Sequence, residues 1–410
     1  MDQWKAAAPL TVAGFDIYHP SAQDLTGKEI SFGGAIARSV KKSKYLILET
    51  EAQGNHGWLH YPGQLRLQAF SHLASGSNSV MYWHWHSIHN AIESYWKGIL
   101  SHNLKENATY REAATIGADF TRYGDHLKNL RKKADVALLL SNESLTGLQW
   151  FGIHPDLKYN DIARWLYDAF YELNIECDIL SADDTDLFGQ YKILVTPALY
   201  SASDTLVDSL RRFVTEGGHL ISTFKTAFSD PVLKIYPDDQ PHKLTDVFGM
   251  TYDQFTDGVN VGLKDCAFEI DSLKNTVRFL MELLLPDTAR TLAAYDHPQW
   301  GNFAAVTENS FGNGKAIYIG CYFNSGLLKN LLSYAVKDAG LTLPAEQYPV
   351  IIKRGINEYG RGITYFFNYA EMPAAITWKG GDARLLLQDQ KIKTGDTLAL
   401  KSWDFLIVEE

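Results

Sequence analysis

The sequence predicts a multidomain α/β protein: an incomplete (β/α)8 barrel over residues 1–128, a doubly wound α/β domain over 129–343 and a small antiparallel β domain over 344–410. Three observations predict it. Apolar runs alternate with helical periodicity from the start, and one run ends abruptly in carboxylates at Glu49 and Glu51. The pattern resets after the basic stretch Arg131, Lys132, Lys133. Beyond Leu343 only short strand-like runs and turns remain.

In the first part, residues 11–18 and 45–49 read as strands. Tyr45, Leu46, Ile47 and Leu48 form a continuous apolar run, as expected of a strand covered on both faces. A carboxylate at the C-terminal end of such a strand sits where barrels of parallel strands place catalytic groups. Pro62 and Gly63 then open a helix; Leu65, Ala69, Phe70, Leu73 and Ala74 recur at helical spacing, and Gly76 ends it. Residues 79–86 are a third strand, aromatic at its far end: Tyr82, Trp83, His84, Trp85, His86. A second helix is expected from near Ala91, carrying Glu93 and Trp96. Tryptophans beside carboxylates suit sugar, because aromatic faces stack on pyranose C–H faces and carboxylates accept the hydroxyls. Trp83 and Trp85 are equally readable as core if their side of the strand faces the helices.

On these residues the segment resembles the last third of the barrel in glycoside hydrolase family 42, the β-galactosidases of lactose-like and galactan-derived oligosaccharides. The family pattern is an apolar strand ending in Glu, a following Trp, a Pro-Gly that opens a helix, an aromatic strand and Glu-x-x-His. Glu49, Trp58, Pro62 and Gly63, residues 82–86, and Glu93 stand at those places. The loop to Trp58 is one residue longer than the family's, His stands where Arg is usual in the aromatic strand, and Trp96 replaces the His after Glu93. Upstream, FDIYHP (15–20) resembles the end of the preceding barrel strand.

The resemblance implies a retaining mechanism, with two carboxylates about 5–5.5 Å apart. By position Glu49 is the nucleophile, with Glu51 as its rival. Glu93 binds galactose hydroxyls, and Trp58 and Trp96 pack on the sugar. The family's acid/base Glu, in an Asn-Glu pair, has no counterpart before Glu49, where the acids are Asp2, Asp16, Asp24 and Glu29. Asn357-Glu358 carries the same pair far downstream, between strand-like runs, and reads as a hairpin turn. A closed barrel needs eight strands, and this part offers three. The expectation is thus a truncated β-galactosidase acting on terminal β-D-galactosyl residues and lacking its acid/base Glu. The alternative is a non-catalytic oligomerising or sugar-binding remnant.

In the second part, 134–141, 175–180, 191–196 and 219–223 read as strands, with helices at 159–173 and from about Asp204 through Val214. That alternation is flavodoxin-like. The resemblance implies the family's trimerisation domain, related to class I glutamine amidotransferases, and hence a homotrimer. An amidotransferase would need a Cys on a glycine-flanked elbow, whereas Cys177 lies in the strand-like IECDI. A hairpin turns through Gly312-Asn313-Gly314, and a helix spans 325–339. The third part, strands at 363–369, 375–378, 384–387, 397–400 and 405–408, resembles the family's C-terminal β domain.

Composition narrows the class. The 410 residues carry a net charge of −10, which disfavours nucleic acid and anionic membranes as partners. An apolar fraction of 46% is ample for packed cores. Neither a signal peptide nor a membrane-length apolar run is readable. Three widely spaced cysteines show neither metal spacing nor pairing, and no Gly-rich phosphate loop is readable, so no metal, no cofactor and a cytoplasmic location are expected.

Overall fold

The computed structural model describes residues 2–54 and 59–410. They form two compact units, one of residues 134–343 and one combining 2–133 with 344–410.

The chain begins with α1 (Gln3–Ala7), β1 (Ala13–Asp16), α2 (Lys28–Lys41), β2 (Tyr45–Glu51), α3 (Gln64–Ala74), β3 (Ser77–Trp83) and α4 (Ala108–Leu127). Strands β1, β2 and β3 make a parallel three-stranded sheet in that order. It is an incomplete barrel wall, as the sequence predicts. Its helix-facing side is filled: Ala13, Ile17, Tyr45 and Ile47 pack with Ala37 and Val40 of α2. Val80 and Tyr82 pack against Leu65, Ala69 and Ile116 of α3 and α4. The opposite side is open, with Leu48 48%, Met81 45% and Trp83 37% exposed. The expectation of β2 covered on both faces is therefore corrected. An apolar run was read as double burial, but the second layer has no counterpart among the described residues.

Gly14 on β1 shapes this open side. A Cβ there would lie 2.3 Å from the Leu48 side chain, so only glycine lets Leu48 lie across β1. At the start of α3, Gly63 adopts φ +91°, a conformation glycine takes at no steric cost. Glu112 of α4 then accepts the backbone N–H groups of Gly63 (3.1 Å) and Arg66 (2.9 Å), two donors the first turn leaves over.

The helix expected near Ala91 is absent. Ala91 has φ +67°, and the chain instead folds back on itself, with Ile99 N–H donating to His84 O (2.7 Å) and Leu100 N–H to Trp85 O (2.8 Å). The third strand correspondingly ends at Trp83 rather than at His86. The helix proper starts at Ala108, where the Asn107 side chain accepts from Tyr110 N.

The second unit contains β4 (Val136–Leu140), α5 (Asn142–Trp150), α6 (Tyr159–Glu172), β5 (Cys177–Ser181), β6 (Ile193–Thr196), α7 (Asp204–Thr215), β7 (His219–Thr223) and α8 (Thr245–Phe248). It continues with β8 (Met250–Thr256), β9 (Gly262–Lys264), β10 (Val277–Pro286), β11 (Arg290–Asp296), β12 (Ala304–Phe311), β13 (Gly314–Ile319), β14 (Cys321–Phe323) and α9 (Ser325–Asp338). The order β5-β4-β6-β7-β13 is all parallel, which is the doubly wound half. β12, β10 and β14 extend the sheet antiparallel, with β8 on β10, β11 on β12 and β9 on β11. The antiparallel strands at 250–296 carry no alternation plain enough to have been read beforehand. Cys177 opens β5 and is buried, without an elbow.

The residue that turns sharply after β7 is Lys225, at φ +61°. Its ammonium is buried over the Phe255 ring (3.0 Å to the centroid) and 3.4 Å from Glu282, which is fully buried on β10. Glu282 also accepts Lys225 N–H (3.0 Å) and the Tyr318 hydroxyl (2.8 Å). Burial pulls the Lys225 pKa down and pushes that of Glu282 up, each opposed by the partner's charge.

The C-terminal strands are β15 (Val350–Ile356), β16 (Gly362–Asn368), β17 (Ala374–Thr377), β18 (Ala383–Leu385), β19 (Gln390–Ile392), β20 (Thr397–Leu400) and β21 (Phe405–Glu409). They pair as an antiparallel sheet β15-β16-β21-β18-β19 and a ribbon β17-β20. Asn357 and Glu358 lie in the β15–β16 turn, where Asn357 Oδ1 accepts from Tyr359 N and Arg361 N, both 3.0 Å. This sheet is tied to α4: His126 lies 2.7 Å from Glu409, and the Tyr123 hydroxyl donates to Leu387 O (3.2 Å).

Removing one member of a buried ion pair strands the other. Glu282→Ala is expected to destabilise the 134–343 unit by about 3–5 kcal/mol, seen as its denaturant transition moving to lower concentration.

Candidate active site

The site lies at the C-terminal ends of β1, β2 and β3, where parallel strands deliver their last side chains to one edge. Glu49 is half-buried near the end of β2. Its Oε1 accepts a 2.6 Å hydrogen bond from the Tyr18 hydroxyl, and its carbonyl accepts Ile17 N–H at 3.0 Å. Burial pushes the Tyr18 phenol well up, reinforced by its hydrogen bond to Glu49 and by that carboxylate's charge. The phenol is thus a fixed donor.

Thr50 and Glu51 grip the same turn. Thr50 Oγ1 donates to Ile17 O (2.8 Å), and Glu51 Oε1 lies 3.0 Å from His19 Nδ1, both side chains almost wholly buried. Burial pushes the Glu51 carboxyl up, against the pull of His19. Behind them His72 of α3 is fully buried, its ring 5.7 Å from that of His19, and burial drives its pKa well below the usual value. Glu49 and Glu51 therefore differ in situation, one partly open to the strand ends and the other sealed.

Asp16 pairs in register with Glu49, and its carboxyl is pushed up by desolvation and then by the Glu49 charge. The Trp96 ring meets Tyr18 edge-on at 5.7 Å. Glu93 is exposed in the turn before Trp96, its carbonyl accepting Trp96 N–H at 2.8 Å. Trp58 lies outside the described residues. His84 stacks on Trp83 at 4.8 Å, and its pKa is lowered by burial. Trp83 and Trp85, 37% and 59% exposed, are not core.

The structure thus brings Glu49 and Trp96 together through Tyr18, and leaves Glu93 on the rim. Tyr18, His19 and Asp16 were not singled out beforehand as site residues. Their segment, FDIYHP, was recognised as a strand end, but nothing local marks a hydroxyl for a carboxylate 31 residues away. Among the described residues no cluster of His, Cys, Asp or Glu could hold a metal ion, and no helix is long and apolar enough to cross a membrane.

Comparison with known proteins decides the ancestry. Residues 134–342 match the family model of the β-galactosidase trimerisation domain, and residues 1–123 that of glycoside hydrolase 42 β-galactosidase. The chain belongs to glycoside hydrolase family 42. Among family relatives, β-galactosidase LacZ of Lactobacillus acidophilus is 24% identical over 420 residues, covering 100% of this chain and 61% of that protein. β-Galactosidase BgaB of Geobacillus sp. is 27% identical over 314 residues, covering 72% and 44%. The β-galactosidase structure from Bacillus circulans sp. alkalophilus aligns with a TM-score of 0.89 at 22% identity, over 100% of this chain and 62% of that one. That from Halorubrum lacusprofundi gives 0.84 at 22% identity, over 100% and 62%. The chain thus spans about three fifths of the length of LacZ and of the two solved β-galactosidases, and its match to BgaB covers less than half of that protein.

The buried imidazole makes a pH prediction. His72 stays neutral in the folded chain below the pH at which an unfolded histidine takes a proton. Its contribution is intact above about pH 6.5 and is lost as pH falls below that. His72→Met should flatten the loss of melting temperature between about pH 6.5 and 5.

Proposed function

We propose that this chain carries the nucleophile side of a retaining β-galactosidase site. The observation that supports it most is the Glu49 carboxylate at the end of a parallel strand, held at 2.6 Å by a phenol that stays protonated. Glu49 attacks the anomeric carbon of a terminal β-D-galactosyl residue. The bond to the leaving oxygen breaks and a glycosyl-enzyme forms. A second carboxylic acid protonates that oxygen, then takes a proton from the water that releases galactose. Glu51 is unsuited to that second role, being sealed against His19. The acid/base carboxylate belongs to barrel strands other than β1–β3.

Trp96 and Trp58 pack on the sugar, and Glu93 on the rim takes its hydroxyls. Residues 129–343 form the trimerisation domain, so the working species is a homotrimer, and 344–410 are a structural β domain. The location is cytoplasmic, in keeping with three cysteines spaced widely along the sequence. The open sheet face beside Leu48 and Met81 favours a second reading, a non-catalytic oligomerising or sugar-binding protein.

A mechanism-based probe separates the two. Incubation with 2,4-dinitrophenyl 2-deoxy-2-fluoro-β-D-galactoside, whose leaving group needs no acid, should give one adduct on the Glu49 peptide. Glu49→Gln should give none, and Glu51→Gln should still label. An adduct on Glu51 would reverse the assignment, and no adduct at all would favour the binding role. Light scattering should find three chains per particle; a monomer would remove the trimer.

A further inference from the structure

The residues after the nucleophile are spent on the turn that carries its hydrogen-bond donor. Tyr18 is flanked by Ile17 and His19, and both are gripped from the end of β2. Ile17 is held twice, its N–H by Glu49 O (3.0 Å) and its carbonyl by Thr50 Oγ1 (2.8 Å). Glu51 lies 3.0 Å from His19 Nδ1, and its other oxygen lies 3.2 Å from Thr50 Oγ1, which shares its single proton with the shorter bond to Ile17 O. His19 and Glu51 are only 1% and 2% exposed. Burying a carboxylate is costly unless it is paired, and fold alone does not require one here. An apolar pair of the same volume would fill the space. The pair fixes position instead. The close charge contact of Glu51 with the His19 imidazole, whose Nδ1 also lies 3.2 Å from Pro20 O, holds the backbone on one side of Tyr18, as the Ile17 hydrogen bonds hold it on the other.

We propose that Glu51 is a positioning residue for the nucleophile: through His19 it fixes the 17–20 turn, and with it the Tyr18 hydroxyl that holds Glu49. The imidazole of His72 backs the pair from α3, with neither ring nitrogen hydrogen-bonded to a described residue. Glu51 touches neither substrate nor reacting atom. It acts only through Tyr18, which distinguishes it from a second catalytic acid. The inference rests on Glu49 being the nucleophile for its catalytic meaning, but not for its structural test.

That test reads Tyr18 directly, in the whole chain labelled with [ζ-13C]tyrosine. Tyr18→Phe assigns the resonance, and Glu49→Gln gives the displacement caused by losing the carboxylate acceptor. Glu51→Gln and Glu51→Asp should both displace it comparably, because neither keeps a carboxylate within reach of His19. The Asp variant retains the charge, so a displacement seen only with Gln would be a through-space charge effect and would overturn the proposal. So would a Tyr18 resonance unmoved in both folded variants. If neither Glu51 variant folds, His19→Gln breaks the same link from the other side and is judged by the same resonance.

A second arm uses the fluorogalactoside. Glu51→Asp should slow covalent labelling of Glu49 by about ten- to a hundredfold, the cost of a small misplacement, with the probe's dissociation constant unchanged. In a Tyr18→Phe background the same change should cost nothing further, because the two lie on one path. Additive losses would overturn the proposal. If the unmodified chain takes no label, the proposed function fails, while the Tyr18 resonance still decides this inference.

Discussion

Parallel pairing of β1 with β2 brings together two chain segments that share no local chemistry, and the Tyr18–Glu49 hydrogen bond exists because of it. With Ala13 against Tyr45 and Phe15 against Ile47, the register sets Asp16 beside Glu49. The next residues of each strand then have no choice but to meet. One bulge, between Phe15 and Asp16, slips the register by a residue just before the site. A strand slip moves every later side chain to the other face, so that irregularity decides which acids face which partners. The helices serve this register. α2 buries Ala37 and Val40 under Ala13 and Tyr45, and the filled side of the sheet holds the strand ends still.

The elements that were legible beforehand were those with one strong local signal. Gly63 and the apolar repeat of 65–74 announced α3, and the Gly312-Asn313-Gly314 turn announced β12 and β13. The parallel strands of the second unit were readable because they are continuous apolar runs. Glu49 was singled out because it follows such a run directly, as the nucleophile does in the family the segment resembles. What was not legible had two distinct causes. The stretch 87–102 has helix-compatible residues but is fixed by long-range backbone bonds to His84 and Trp85, which no periodicity encodes. Glu51 looked like a rival nucleophile because period two places it with Glu49 in an ideal strand. β2 is not ideal there: its pairing with β3 shifts between Ile47 and Thr50. Only the folded chain brings Glu51 against His19, and the Tyr18 hydroxyl onto Glu49.

The second unit solves a different problem with similar means. Lys225 and Glu282 bury opposite charges where the parallel half of the sheet gives way to the antiparallel half, and Tyr318 adds a hydroxyl. Such a pair stabilises little against an apolar substitute, but it tolerates only one arrangement of its neighbours. It ties the turn after β7 to β10, which is separated from it by two other strands in the sheet order. The Lys225 amine is committed to structure by Glu282 and Phe255.

One compact unit combines residues 2–133 with 344–410, so the other is an insertion within it. Its closing contacts, Arg131 with Ile356 and His126 with Glu409, join ends of the chain made far apart in time. During synthesis α4 leaves the ribosome without the sheet that will cover Tyr123 and His126, and the whole inserted unit is made before β21 arrives. Domains fold as units as they are synthesised. The inserted unit, contiguous in sequence, therefore finishes first, and the site-bearing unit is completed only when the last strand docks. Early termination anywhere after residue 343 would then leave a folded insertion attached to an unfinished sheet, a species that a protease would cut on the N-terminal side.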